Sequence, residues 1–212
     1  MKKISSFILL SGLALLWLSA CSSFSGKAGE TEVQQPLTPL TCILVLPAGT
    51  SVGNDDTIKY NDARELEKGA ALASAIMAKE LAGYPKVRVL SSSQVSALVS
   101  EVSGGLSGTI AVLSEKLNCD GVLTTTVSRF KQREGGEYSS DSPASAKFSM
   151  VLRHGATGAV LWSADFKETQ VSFLSNILSF DRAQSRGFKW INVEELLEQG
   201  IKERLADCPY LN

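Results

Sequence analysis

Cys42-Ile43-Leu44-Val45-Leu46-Pro47 is a continuous apolar run ended by a proline, with no polar position to mark a solvent face. A strand that alternates apolar and polar residues buries one side, whereas a wholly apolar one is buried on both, as in a parallel sheet flanked by helices. The stretch therefore predicts the opening strand of an α/β layer. Gly, Asn and Asp crowd positions 49–56, which reads as a loop. Asp62 with Glu65 three residues on fits a capping box, and Leu66, Ala70, Ala73, Ile76, Met77 and Leu81 recur at helical spacing until Gly83. Val87-Arg88-Val89-Leu90 is a second short strand. Val95, Leu98, Val99 and Val102 begin a helix interrupted at Gly104-Gly105 and resumed by Ile110, Leu113 and Leu117, before a third strand from Val122 to Phe130. This β-α-β-α-β succession implies right-handed parallel crossovers.

Beyond Phe130 the pattern changes. The stretches Val122 to Phe130, Ala146 to Arg153 and Ala159 to Thr169 alternate with period two, as in Phe148, Met150 and Leu152 against Lys147, Ser149 and Arg153. A polar loop around Gly135-Gly136 and a tight turn at Gly155-Ala156-Thr157-Gly158 join them, so they predict an antiparallel meander with one buried face. Asn192 caps a last helix with Glu195 three residues on, Ile191 is placed to staple onto Leu196, and Leu196, Leu197, Ile201 and Leu205 form its apolar stripe. The expected fold is one α/β domain over residues 41–212, with a mixed sheet in the order β-α-β-α-β-β-β-α: parallel in its first half, an antiparallel meander in its second.

Upstream of the domain, residues 21–40 turn to Ser, Gly, Thr, Glu, Gln and Pro, with almost nothing to bury. This is a tether with a typical span of ~24 Å and a maximum near ~65 Å. Residues 1–20 read as a secretory signal: Lys2 and Lys3 precede the apolar run Ile4 to Leu18. As a helix that run spans roughly 22 Å, short of the ~30 Å of a bilayer core. The signal ends in Leu18-Ser19-Ala20-Cys21, which resembles the lipobox of bacterial lipoproteins. That resemblance implies cleavage before Cys21 and attachment of two or three acyl chains, palmitate among them, which anchors stably where one chain does not. The next residue is Ser22 rather than the aspartate of an inner-membrane retention signal, so the expected address is the outer membrane, with the domain facing the periplasm. Removing residues 1–20 with Lys2 and Lys3 leaves 192 residues, 19 basic and 22 acidic, and a formal charge of −3. Nucleic acid or an anionic lipid surface would call for a basic excess, so neither is an expected partner.

The element order, the opening apolar strand ending in Pro47, the Leu117-Asn118-Cys119-Asp120-Gly121-Val122-Leu123 entry to the third strand, and the Gly158-x-Val160-Leu161-Trp162 stretch together resemble a superfamily of bacterial envelope proteins. It includes the TolB amino-terminal domain, the curli-secretion lipoprotein and the lipoprotein activators of penicillin-binding proteins, and the likeness covers roughly residues 42 to 207. The resemblance implies a periplasmic α/β domain that binds other envelope proteins and needs no cofactor. A curli-type pore would require spare amphipathic strands of ~10 residues, and none is available here.

Catalytic patterns are scarce. Gly49-Thr50-Ser51-Val52-Gly53 matches the nucleophile-elbow pattern, but the helix it should open into starts near position 63, and the lone histidine, His154, falls at the opposite edge of the sheet. His154 has no second histidine or cysteine pair at ligand spacing. Asn54, Asp55, Asp56, Asn61 and Asp62 lack the register and bidentate glutamate of a calcium loop. No catalytic or metal-binding residue is assigned, and the chain reads as a non-enzyme. It is expected to dock on, or help assemble, another envelope protein or complex. A self-assembling subunit of a secretion or transport complex is the alternative, and the oligomeric state is left open. The best candidate contact lies between positions 172 and 190, where Phe173, Ile177 and Phe180 share helical spacing with Leu174 and Leu178 and precede Arg182, Arg186 and Lys189. The hairpin from Arg133 to Asp141 is a weaker second.

With Cys21 spent on lipid, Cys42, Cys119 and Cys208 remain, enough for one disulfide in an oxidising compartment. Strand and helix directions put all three at the amino edge of the sheet. The resembling superfamily commonly has a small buried residue where Cys119 stands, which leaves Cys42 and Cys208 as the expected pair, with Cys42–Cys119 the alternative.

Overall fold

The computed structural model describes residues 37–51, 60–100, 104–135, 142–169 and 191–211. Successive side chains of an extended chain point to opposite faces. The apolar run that opens the domain therefore feeds two cores at once. Strand β1 (Ile43–Val45) sends Ile43 and Val45 into one cluster, while Cys42, Leu44 and Leu46 join the other. It pairs in parallel with β3 (Val87–Val89) on one side and β4 (Gly121–Lys131) on the other. Pro47 lacks the N–H a ladder needs, and the strand resumes only as β2 (Gly49–Thr50), opposite Thr126 and Val127 of β4.

Helix α1 (Tyr60–Glu80) buries Leu66, Gly69, Ala70, Ala73, Ile76 and Met77. Its small residues permit close approach: a Cβ at Gly69 would lie 2.7 Å from Cγ of Phe130. The helix starts before Asp62, which sits in its first turn instead of capping it and still meets the positive end of the dipole there. Helices α2 (Ser92–Val99) and α3 (Gly105–Leu117) are separate, as the glycine pair predicts; Ser91 and Gln94 close a reciprocal capping box on α2. Asn118 ends α3 in the left-handed region at φ 51°, turning the chain into β4.

Strands β5 (Ser145–His154) and β6 (Val160–Thr169) complete the sheet, in the order β3-β1-β4-β5-β6, with β4, β5 and β6 antiparallel. Helix α4 (Val193–Ala206) carries the capping box read from Asn192 and Glu195. It packs beside α1, with exposed ion pairs from Lys79 to Glu198 and from Lys202 to Glu80 and Glu198. Together α1 and α4 cover one face of the meander, where Leu123, Val127, Phe130, Phe148, Met150, Leu152 and Phe166 are buried. Helices α2 and α3 cover the opposite face only over β1 and the start of β4, through Ile110 and Leu113 against Leu44 and Val122. The expected mixed α/β sheet in a single domain is the fold observed.

Candidate functional site

The two edges of the sheet have different chemistry. At the amino edge the chain enters the domain and is fastened within a few residues. Leu40 is already buried in the core. The Thr41 N–H and hydroxyl both donate to Oδ2 of Asp120, at 2.7 and 2.5 Å. The N–H groups of Asp120 and Gly121 donate to the Cys42 carbonyl, and Gly155 N–H donates to the Asp120 carbonyl. Ser114 Oγ donates to the Cys119 carbonyl. The Thr41 hydroxyl, then its N–H, hold the Asp120 carboxyl below the usual carboxylate range against a smaller opposing effect of burial.

Cys42 and Cys119 form a disulfide at this edge, with Cα atoms 4.6 Å apart, and Cys208 is a free thiol. The expected Cys42–Cys208 pair is thus corrected. Cys42 and Cys119 belong to the cluster under α2 and α3, whereas Cys208 belongs to the cluster under α1 and α4. The sheet lies between them. Burial pushes the Cys208 thiol up, with the backbone N–H groups of Tyr210 and Leu211 pulling the other way.

At the carboxyl edge, a bulge in β4 between Val127 and Arg129 and the first turns of α1 enclose a groove of about 840 Å³. Asp62 and Glu65 of α1 contribute carboxylates; Arg129, Lys131 and Lys147 contribute cations; Ser51 and Ser128 contribute hydroxyls. Gln132, also at its wall, accepts from Val193 N–H at 3.2 Å and donates to Glu194 Oε2 at 2.9 Å, which pins the start of α4 to this edge. The groove offers both signs of charge, suited to polar contacts across a surface. Among the described residues it contains no acid–base pair aimed at a nucleophile: Ser51 follows Thr50, which lies opposite Val127, while His154 lies opposite Gly121. Six residues of strand separate those two rows, roughly 20 Å, far beyond the ~3 Å of a proton transfer. His154 instead accepts at Nδ1 from Thr157 N–H within the hairpin, at 3.4 Å.

Of the residues singled out from sequence, Cys21, Phe173, Ile177 and Phe180 lie outside the described residues, as do Asn54, Asp55 and Asp56. The groove was not anticipated. Lys147 was legible as an outward position, but only the folded sheet brings the start of α1 to the end of β4. Among the described residues no group of His, Cys, Asp and Glu is arranged to hold a metal ion, and no helix is long and apolar enough to cross a membrane.

No family model matches the chain, and no curated protein matches it. Solved structures do. The chain is similar to PelC from Paraburkholderia phytofirmans, solved as a dodecamer, at 13% identity over 78% of this chain and 85% of that one, with a TM-score of 0.43. The C-terminal domain of LpoB from Salmonella enterica is similar at 17% identity over 66% of this chain and 90% of that one, with a TM-score of 0.34. Lipoprotein GNA1162 from Neisseria meningitidis is similar at 16% identity over 69% of this chain and 96% of that one, with a TM-score of 0.37.

Proposed function

We propose that the chain is a non-enzymatic lipoprotein of the outer membrane, cut before Cys21 and held by acyl chains on that residue, whose periplasmic domain docks on another envelope protein. The observation that carries this reading is the opposition of the two ends of β4. The tether side of the domain is fastened beside Gly121, and the charged groove opens beside Lys131, at the other end of an eleven-residue strand. At ~3.3 Å per residue those ends are roughly 33 Å apart. The end of the domain that the tether joins is therefore not the end that carries the groove. Phe173, Ile177 and Phe180 supply the apolar part of the contact in this reading, because large apolar side chains recurring at helical spacing in the sequence are what partner surfaces use.

In-cell crosslinking followed by affinity capture of the full chain tests it. Cys21→Ser should move the chain from the membrane pellet to the soluble fraction, and polar substitution of Phe173, Ile177 and Phe180 should reduce capture of the partner while the melting temperature stays within a few degrees. A Cys21→Ser chain that stays in the pellet at high salt removes the anchor. A large fall in melting temperature on changing the three apolar residues makes them core.

A further inference from the structure

The sheet ends in strands of very different length. β3 is three residues long, whereas β6 runs for ten and pairs only with β5 among the described residues. A long edge presents a row of N–H and C=O groups ready to pair with another strand. Its side chains then decide with what. The β5 register puts Ser163, Asp165, Lys167 and Thr169 on the open face and Trp162, Ala164 and Phe166 on the face covered by α4. Asp165 and Lys167 are exposed, and among the described residues neither side chain has a hydrogen bond or an ion pair. Lys167 stands directly opposite Lys147 of β5, a like-charge pair with no carboxylate bonded to it among the described residues. Like charges opposite one another across a ladder are unfavourable, and opposite charges stabilise.

We propose that β6 pairs with β6 of a second copy of this chain, antiparallel and two-fold symmetric about Phe166, extending the sheet across the dimer. Strand β6 is self-complementary in that register. Asp165 of each copy faces Lys167 of the other, twice, and each Lys167 then has a carboxylate on one side to offset Lys147 on the other. Ser163 faces Thr169, and Ala164 faces Glu168. Centring the pair on Asp165 or on Lys167 opposes two like charges, and centring it on Ala164 pairs neither. A one-residue slip inverts one copy and sets Phe166 against a charged residue. An isologous contact of this kind closes on itself and leaves both charged grooves free. It does not depend on the lipid anchor or on the docking reading.

The full chain in membranes and in mild detergent provides the test. Ser163→Cys with Thr169→Cys places two thiols about 20 Å apart within one strand, too far to join each other, and opposite each other across the dimer. Mild oxidation should yield a covalent dimer from the double variant and none above the wild-type level from either single variant. Asp165→Lys should weaken dimerisation about tenfold and reduce the crosslink, and adding Lys167→Asp should restore it. Circular dichroism on each variant confirms that the fold is kept. The proposal is overturned by a double variant that stays monomeric while folded, by single variants that crosslink equally well, or by crosslinks only to other proteins. Sedimentation of the wild-type chain as a monomer near 100 µM, about the upper range of such weak contacts, overturns it as well.

Discussion

β1 is three residues long and buried on both sides, whereas β5 is ten residues long and buried on one. The difference follows from their partners. A parallel strand returns through a helix, and successive helices cover both faces of the sheet; antiparallel strands return through a turn and bring no cover of their own. β1 therefore reads as unbroken apolar sequence and serves as scaffold. The meander borrows α1 and α4 for one face and leaves Thr124, Thr126, Ser149, Asp165 and Lys167 on the other, half-buried or exposed. Its far ends supply the groove and the free edge. Both halves bury core side chains, whereas the surface available for recognition lies in the meander.

The clasp in the parallel half sharpens that contrast most. Replacing Cys42 and Cys119 by Ala opens a loop of 77 residues, and the chain-entropy account values the loss at about 4 to 5 kcal/mol. Thermal unfolding of the variant measures it, and peptide mapping under non-reducing conditions should return the Cys42–Cys119 link with Cys208 free. If Cys42→Ala instead lets Cys119 pair with Cys208 at no cost in stability, the sheet does not separate them.

Within the meander, adjacent residues of β5 should behave oppositely. Phe148 is fully buried and stacks on Phe166 with ring centroids 5.1 Å apart. Its replacement by Ala should cost about 3 to 5 kcal/mol. Ser149→Ala, one residue on and facing the open side, should stay within about 0.5 kcal/mol. A large cost at Ser149 in denaturant unfolding means that the open face is covered.

The smallest effect belongs to the amino edge. The Asp120 carboxyl is lowered by its bonds from Thr41, so its contribution is present above the unfolded-state carboxylate range and is lost as pH falls through the folded value. Asp120→Asn should cost about 1 kcal/mol near neutral pH. The gap to the wild type should close in acid. A gap that does not narrow even after the pH has fallen through the folded value, below the usual carboxylate range, shows that the ionised carboxyl contributes nothing.

Much of this fold is legible in period alone. The alternation of Phe148, Met150 and Leu152 with Lys147, Ser149 and Arg153 marks which side of β5 is wet, because a strand has only two faces. The Asn192 and Glu195 capping box is equally local, since both partners lie within one turn. The same locality misplaces a boundary: Asp62 and Glu65 fit a cap, yet α1 extends beyond them. The groove was illegible for a different reason. Asp62 of α1 and Lys147 of β5 are distant in the chain, and nothing in either neighbourhood encodes the other.

The cysteines mark where local information ends. Sequence by itself pointed to a strand within Cys42–Pro47, observed at Ile43–Val45, and to an amino edge shared by Cys42, Cys119 and Cys208, of which Cys42 and Cys119 are joined there. It did not determine which helices would lie on which face. That was decided when Gly200 let α4 settle against Phe166, where a Cβ would come within 2.7 Å of the ring, beside α1 and on the side of the sheet away from the disulfide. Side-chain direction is a property of two or three consecutive residues, whereas the choice of face depends on packing between segments far apart in the chain, and that choice left Cys208 without a partner.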